Sequence, residues 1–260
     1  MAEAGQDGAV GVTGLLKAAD VAVAAKLRRG ANGVAWAQMG ETQLADADLE
    51  RLVQAVPATI AAALTGKAYY FVPLALAEAR AEGHRGGSEE TLVSPVYTAE
   101  LGDEAICHRN VTLAGSEGVF ISARLLNDRF ALSFELFINV AHAFVDAAGV
   151  PGEFGDLAWA QAIAETRGET SQDAWESRGD ALKDRSRVDE KARGEYLEAA
   201  FSDAIAIYLL SLAVDFDYSE LREREYPLLA PAALADRLKL VAKLFPPNEG
   251  YEFSIRYRRR

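Results

Sequence analysis

Four polar side chains interrupt the apolar run "FELFINVAHAFVDAAG": Glu135, Asn139, His142 and Asp146. Their separations of four, three and four residues place them on one narrow stripe of a helix that turns ~100° per residue. Carboxylates beside an imidazole can bind a hard or borderline divalent cation, hold the His protonated, or serve as an acid–base pair. A second apolar run, "EYLEAAFSDAIAIYLLSLAV", carries Glu195, Glu198 and Ser202 on one face, with Asp203 displaced around the axis. Helices apolar nearly all round are normally buried, so their polar residues must be paired, wetted or put to chemical use. We therefore expect the stripe to face the second helix across a polar seam, with His142 between Asp146 or Glu135 and Glu198. The acid–base candidates are Glu135, His142 and Asp146. The candidate ligands of a divalent metal such as zinc are His142, Asp146 and Glu198. Against these stands the plainer alternative that the stripe is a solvated edge. Cys107 and His108 are adjacent in "EAICHRN", and neighbours on a strand point to opposite faces, so one of them could join a site but both together could not easily.

These candidates must be positioned by a chain of 260 residues, 50% of them hydrophobic, which is ample for a sizeable core. The net charge of -12 repels phosphate backbones, so nucleic acid is an unsuitable partner. The basic cluster at Arg256, Arg258, Arg259 and Arg260 reads as a solvated tail. Cys107 is the sole cysteine, which leaves no internal disulfide. The first residues lack the basic start and apolar run of a leader, and no uninterrupted apolar stretch spans a bilayer. A cytoplasmic protein with no membrane contact is the expectation.

Residues 1–12 are small, polar and Gly-rich, and read as a disordered lead to a single domain over 13–260. Helical spacing is found from Thr13 to Arg29, in "ADLERLVQAV", and after Pro57. Short β-favouring runs separated by turn residues place a small, mainly antiparallel sheet within 68–126. Asn127 and Asp128 suit the cap of the first core helix, about 129–148, which stops at Gly149 and Pro151. A shorter helix lies around "LAWAQAIAE". The densely charged 168–190 then reads as an exposed excursion. Ser186 and Asp189 fit a capping box before the second core helix, about 187–215, and "PAALADRLKLVAKLF" forms a last helix ending at Pro246. The class is α+β.

A sheet whose last strand leads into an apolar helix bearing His, followed by a helix of the type "AFSDAIAIYLL", resembles the zincin fold and its small gluzincin members. The resemblance covers about residues 90 to 215 and rests on the order and texture of the elements. It implies a scaffold on which His-Glu-x-x-His would lie on the first helix and a Glu ligand on the second. His142 matches the first zinc ligand, while Ala143 stands at the catalytic Glu and Asp146 at the second His. Matching "AIAIY" to the family's second-helix phrase puts Ala199 at the third ligand, with Glu198 one position away. Without the Glu that accepts the proton of metal-bound water, hydrolysis has no general base.

Three functions are consistent with these residues. The first is a zincin-like protein with a degenerate metallopeptidase site that binds a peptide or protein partner. The second is a hydrolase-like enzyme using metal or the carboxylate and His groups of the seam. The third is a structural or interaction protein with no site. A di-iron carboxylate bundle is disfavoured, because the chain has three His, no Glu-x-x-His and a β-rich middle. No Gly-x-Ser-x-Gly nucleophile motif occurs.

Overall fold

The computed structural model describes residues 14–77, 90–124, 129–184, 187–221 and 226–256. The expected disordered lead, the caps at Asn127 and Asp128, Ser186, and Arg258, Arg259 and Arg260 lie outside the described residues.

The fold is α+β. Strands β1 (Leu16–Lys17), β2 (Arg28–Arg29) and β3 (Ala35–Gln38) come first, with helix α1 (Ala18–Ala24) between β1 and β2. Helices α2 (Asp46–Gln54) and α3 (Ala58–Ala61) lead into β4 (Lys67–Val72), β5 (Leu74–Ala77) and β6 (Thr91–Ser94). The short α4 (Ala99–Gly102) precedes β7 (Ala105–Ile106), β8 (His108–Leu113) and β9 (Ser116–Ser122). The rest is helical: α5 (Arg129–Ala148), α6 (Gly152–Ile163), α7 (Gln172–Ala181), α8 (Glu190–Ala213) and α9 (Pro231–Leu244).

The β structure forms two sheets rather than one meander: β1-β6-β5-β7, which is antiparallel, and β2-β3-β4-β9-β8, in which β3, β4 and β9 run parallel. The expected span of 68–126 missed β1 to β3, because two-residue strands and a run as short as "AWAQ" carry too little alternation to stand out from a helical context. The chain passes from one sheet to the other at Pro73 and again at Cys107. Ser122 ties this junction, its hydroxyl accepting from the Ala75 amide at 2.7 Å and donating to the Ile106 carbonyl at 2.6 Å.

Alternation along the central strands fills both faces of the five-stranded sheet. Tyr69, Phe71, Val119 and Ile121 pack in the same core as Leu136, Phe137 and Val140 of α5. Tyr70, Val72 and Phe120 face the other way, in a core with Ala18 and Val21 of α1 and Val93 of β6. Helix α8 is buried on most of its circumference, between α5, α7 and α9. Both α5 and α8 are long and apolar enough to cross a membrane, with mean hydropathy 1.4, although neither is an uninterrupted apolar run. That is weak evidence for a membrane, because packing in a core calls for the same composition.

The described residues of 168–190 are exposed in part, but the segment is anchored in the interior rather than looped out. Ala174 and Ala181 of α7 are buried against the core, Glu169 is wholly buried, and only the opposite side of α7 carries its exposed charges. Two alanines seven residues apart are a narrow apolar signal, and the dense charge around them outweighed it.

Candidate functional site

The stripe on α5 divides where the helix meets solvent. Glu135 is mostly covered, its side chain 16% exposed, and Asn139 is buried. Asn139 donates from Nδ2 to the Glu135 carbonyl at 2.9 Å and to its Oε1 at 3.3 Å. The same carboxylate pairs with His108 Nδ1 on β8, an exposed imidazole. His142 and Asp146, further along, are exposed, and so is Glu198 on α8.

The expected seam between the two core helices is therefore not formed. Apolar side chains take that interface, as in the approach of Phe144 to Phe201 with ring centroids 6.4 Å apart. Burying Leu136, Phe137, Val140, Ala141 and Phe144 uses the wide apolar face of α5, and that rotation turns His142 and Asp146 outward. Among the described residues no three His, Cys, Asp or Glu side chains gather as a metal would require. The proposed set His142, Asp146 and Glu198 does not meet that requirement, so no chemistry is routed through zinc here.

Beside Glu135 lies the free margin of the larger sheet. Among the described residues strand β8 pairs only with β9 within that sheet, in the antiparallel register His108↔Ile121 through Leu113↔Ser116. The Ser122 amide donates to the Cys107 carbonyl at 2.9 Å, which marks the next pair, Cys107 with Ser122, as hydrogen-bonded. Alternation then makes His108, Asn110 and Thr112 members of non-bonded pairs, with their N–H and C=O groups directed away from β9. No backbone hydrogen bond among the described residues occupies those outward groups. Their side chains are exposed on the α5 side, while Val111 and Leu113 pack toward α1 on the other. Cys107 is exposed at the upstream end, and burial, with Glu135 nearby, pushes its thiol up rather than toward thiolate. Of the two adjacent residues, it is His108 that meets Glu135.

The largest ionic cluster among the described residues is elsewhere. Glu169 accepts from Arg237 Nη1 and Arg178 Nη1, both at 3.0 Å, and from the Tyr196 hydroxyl at 3.1 Å. Arg237 is also fully buried, and its Nε donates to Gln161 Oε1 at 2.8 Å. The cluster joins α6, α7, α8 and α9 through the segment before α7. Every charge in it has a hydrogen-bonded partner, so it acts as an internal clamp. Its sequence signals were Tyr196, and a lone Arg237 within the apolar periodicity of α9.

Asp203 borders this clamp and accepts from the Thr170 hydroxyl at 2.7 Å. Burial is the main cause that lifts its carboxyl, to about 6, against the lowering effect of Ser171, Thr170 and Arg237. The folded protein thus holds this proton more tightly than the unfolded chain, and stability falls as pH rises from about 4 to about 6. Asp203→Asn should flatten the dependence over that window and raise stability at pH 7. Urea unfolding at pH 4, 5, 6 and 7 checks this; unchanged slopes in the variant would show that another group carries the effect.

Compared with protein-family models, curated proteins and solved structures, the chain matches none of them.

Proposed function

We propose that this chain is a zincin-like protein without peptidase chemistry, and that it binds an extended segment of a partner along β8. The observation that carries the proposal is the outward row of backbone groups at His108, Asn110 and Thr112, which have no backbone partner among the described residues. An added strand would draw its affinity from main-chain hydrogen bonds and its specificity from the exposed side chains along the margin. Natural sheets usually protect such an edge, so its exposure beside the Glu135–His108 pair favours use. The order of sheet, α5 and α8 supports the scaffold, and Ala143, which is buried, supplies no base where the zincin general base would lie.

Asn110→Pro tests the proposal. Proline is tolerated on an edge strand where its missing N–H faces outward, so the fold should be retained. Peptides selected from a random library on the wild-type protein should bind the variant at least about tenfold more weakly, a loss of about 1.4 kcal/mol. They should also slow amide exchange at Asn110 and Thr112 in the wild type. Selection of no peptide, or equal binding by the variant, would dismiss the proposal.

The contact of Glu135 with His108 favours a second reading, in which a carboxylate orients an exposed imidazole for acid–base work. On that reading bound peptides would be recovered cleaved, and His108→Gln would stop cleavage without stopping binding.

A further inference from the structure

At the C-terminal end of α8 the chain forms an open cleft of about 430 Å³, within the range of small-molecule sites. One wall is the end of α8 and the turn after it, the second is α9, and the third is the extended segment 252–256. Phe216, Tyr218, Leu234, Leu238, Phe253 and Ile255 supply the apolar part of a lining that is about half polar. Two of the aromatic walls are held in place. The Tyr218 hydroxyl donates to the Leu229 carbonyl at 2.6 Å, and Phe253 packs edge-on against Tyr208 with centroids 5.3 Å apart.

Among the described lining residues of the cleft, negative charge outweighs positive. Helix α8 has 24 residues, and its negative end lies in the wall at Ser211, Leu212 and Ala213. The last capping bond runs from the Val214 amide to the Leu210 carbonyl at 2.9 Å. The carbonyls of Ser211, Leu212 and Ala213 accept no backbone hydrogen bond among the described residues. Asp215 and Glu252 add two carboxylates, against Arg256 as the cation among the described lining residues. Orphan carbonyls, carboxylates and aromatic faces together attract a positive charge, and the apolar walls accept a hydrocarbon body.

We propose that this cleft binds a small organic cation, an ammonium group carried on an aryl or short alkyl body. The charged head lies at Asp215 and the α8 carbonyls, and the body packs against Phe216, Leu234 and Phe253. The site is separate from the β8 margin and does not depend on its use.

Titration calorimetry on the full chain tests this with three probes of one shape at matched ionic strength: benzyltrimethylammonium, neutral benzyl alcohol and anionic phenylacetate. The cation should give saturable binding at least about tenfold tighter than either of the others. Asp215→Asn should weaken the cation about three- to tenfold and leave benzyl alcohol unchanged, with Glu252→Gln acting in the same direction. Glu195→Gln, exposed elsewhere on α8, should have no effect. Absence of saturable binding, equal affinity for the neutral or anionic probe, or indifference to both cleft variants would overturn the proposal. An equal effect from Glu195→Gln would also overturn it, by tracing the attraction to general surface charge.

Discussion

Glu169→Ala is expected to lower stability by about 3–5 kcal/mol, the usual cost of removing one partner from a buried ion pair. The size follows from what would remain. Arg237 is fully buried and Arg178 nearly so, and both donate to the Glu169 carboxylate at 3.0 Å. Without it, two guanidinium groups would lose the carboxylate they are hydrogen-bonded to, and Tyr196 would keep only the Ala158 carbonyl, at 3.2 Å, of its two acceptors. The pair itself contributes little over a well-packed apolar substitute, because desolvation offsets its Coulomb attraction. The double variant Glu169→Leu with Arg237→Met should therefore recover a good part of the loss. Equilibrium urea unfolding measures both, and a loss below about 1 kcal/mol for Glu169→Ala would mean that water reaches the cluster.

The second large effect is expected one residue earlier. Gly168 has a φ of +79°, and a Cβ there would lie 2.1 Å from the Leu228 carbonyl oxygen and 2.4 Å from that of Pro227. Those atoms cannot withdraw freely. The Glu169 amide donates to Pro227 at 3.0 Å, and the Leu229 amide donates back to the Glu169 carbonyl at 2.9 Å. Gly168→Ala thus combines an unfavourable backbone conformation, about 1–3 kcal/mol, with separation of two bonded segments, and about 3 kcal/mol or more in total is expected. Its effect should not add to that of Glu169→Ala, because both loosen the clamp that seats α7 on α8. Urea unfolding of the two single variants and the double checks this. Full additivity would separate the backbone bridge from the ionic cluster.

The two effects also explain how a charged segment comes to be anchored in the interior at Gly168 and Glu169. In the sequence, "RGETSQDAWESRGD" differs little from a solvated loop, and Glu169 is one of several carboxylates in it. What distinguishes it is the arrival of Arg237, 68 residues later, and of Tyr196, 27 residues later. The same holds for Glu135: its spacing to His142 is legible at helical period, but its partner is His108, 27 residues upstream on a strand.

The sequence by itself determined the elements whose signals are local. Apolar periodicity with Gly149 and Pro151 beyond it bounded α5, the residues before Pro246 and Pro247 bounded α9, and β-favouring runs marked the stretch 68–126 that holds nearly all of β4 to β9, without separating the individual strands. The cap of α8 lies three residues beyond the one expected at Ser186: the helix starts at Glu190, and Asp189 is itself the cap, its carboxylate accepting from the Lys191 and Ala192 amides. Only the tertiary structure decided that β3 joins β4 in parallel, that the chain changes sheets at Pro73 and Cys107, and that His142 and Asp146 face solvent while Glu169 does not. The physical reason lies in the range of the forces. Helix and turn formation is set by neighbours within a few residues, whereas the burial of a polar group depends on whether remote segments bring it a partner that outweighs its desolvation.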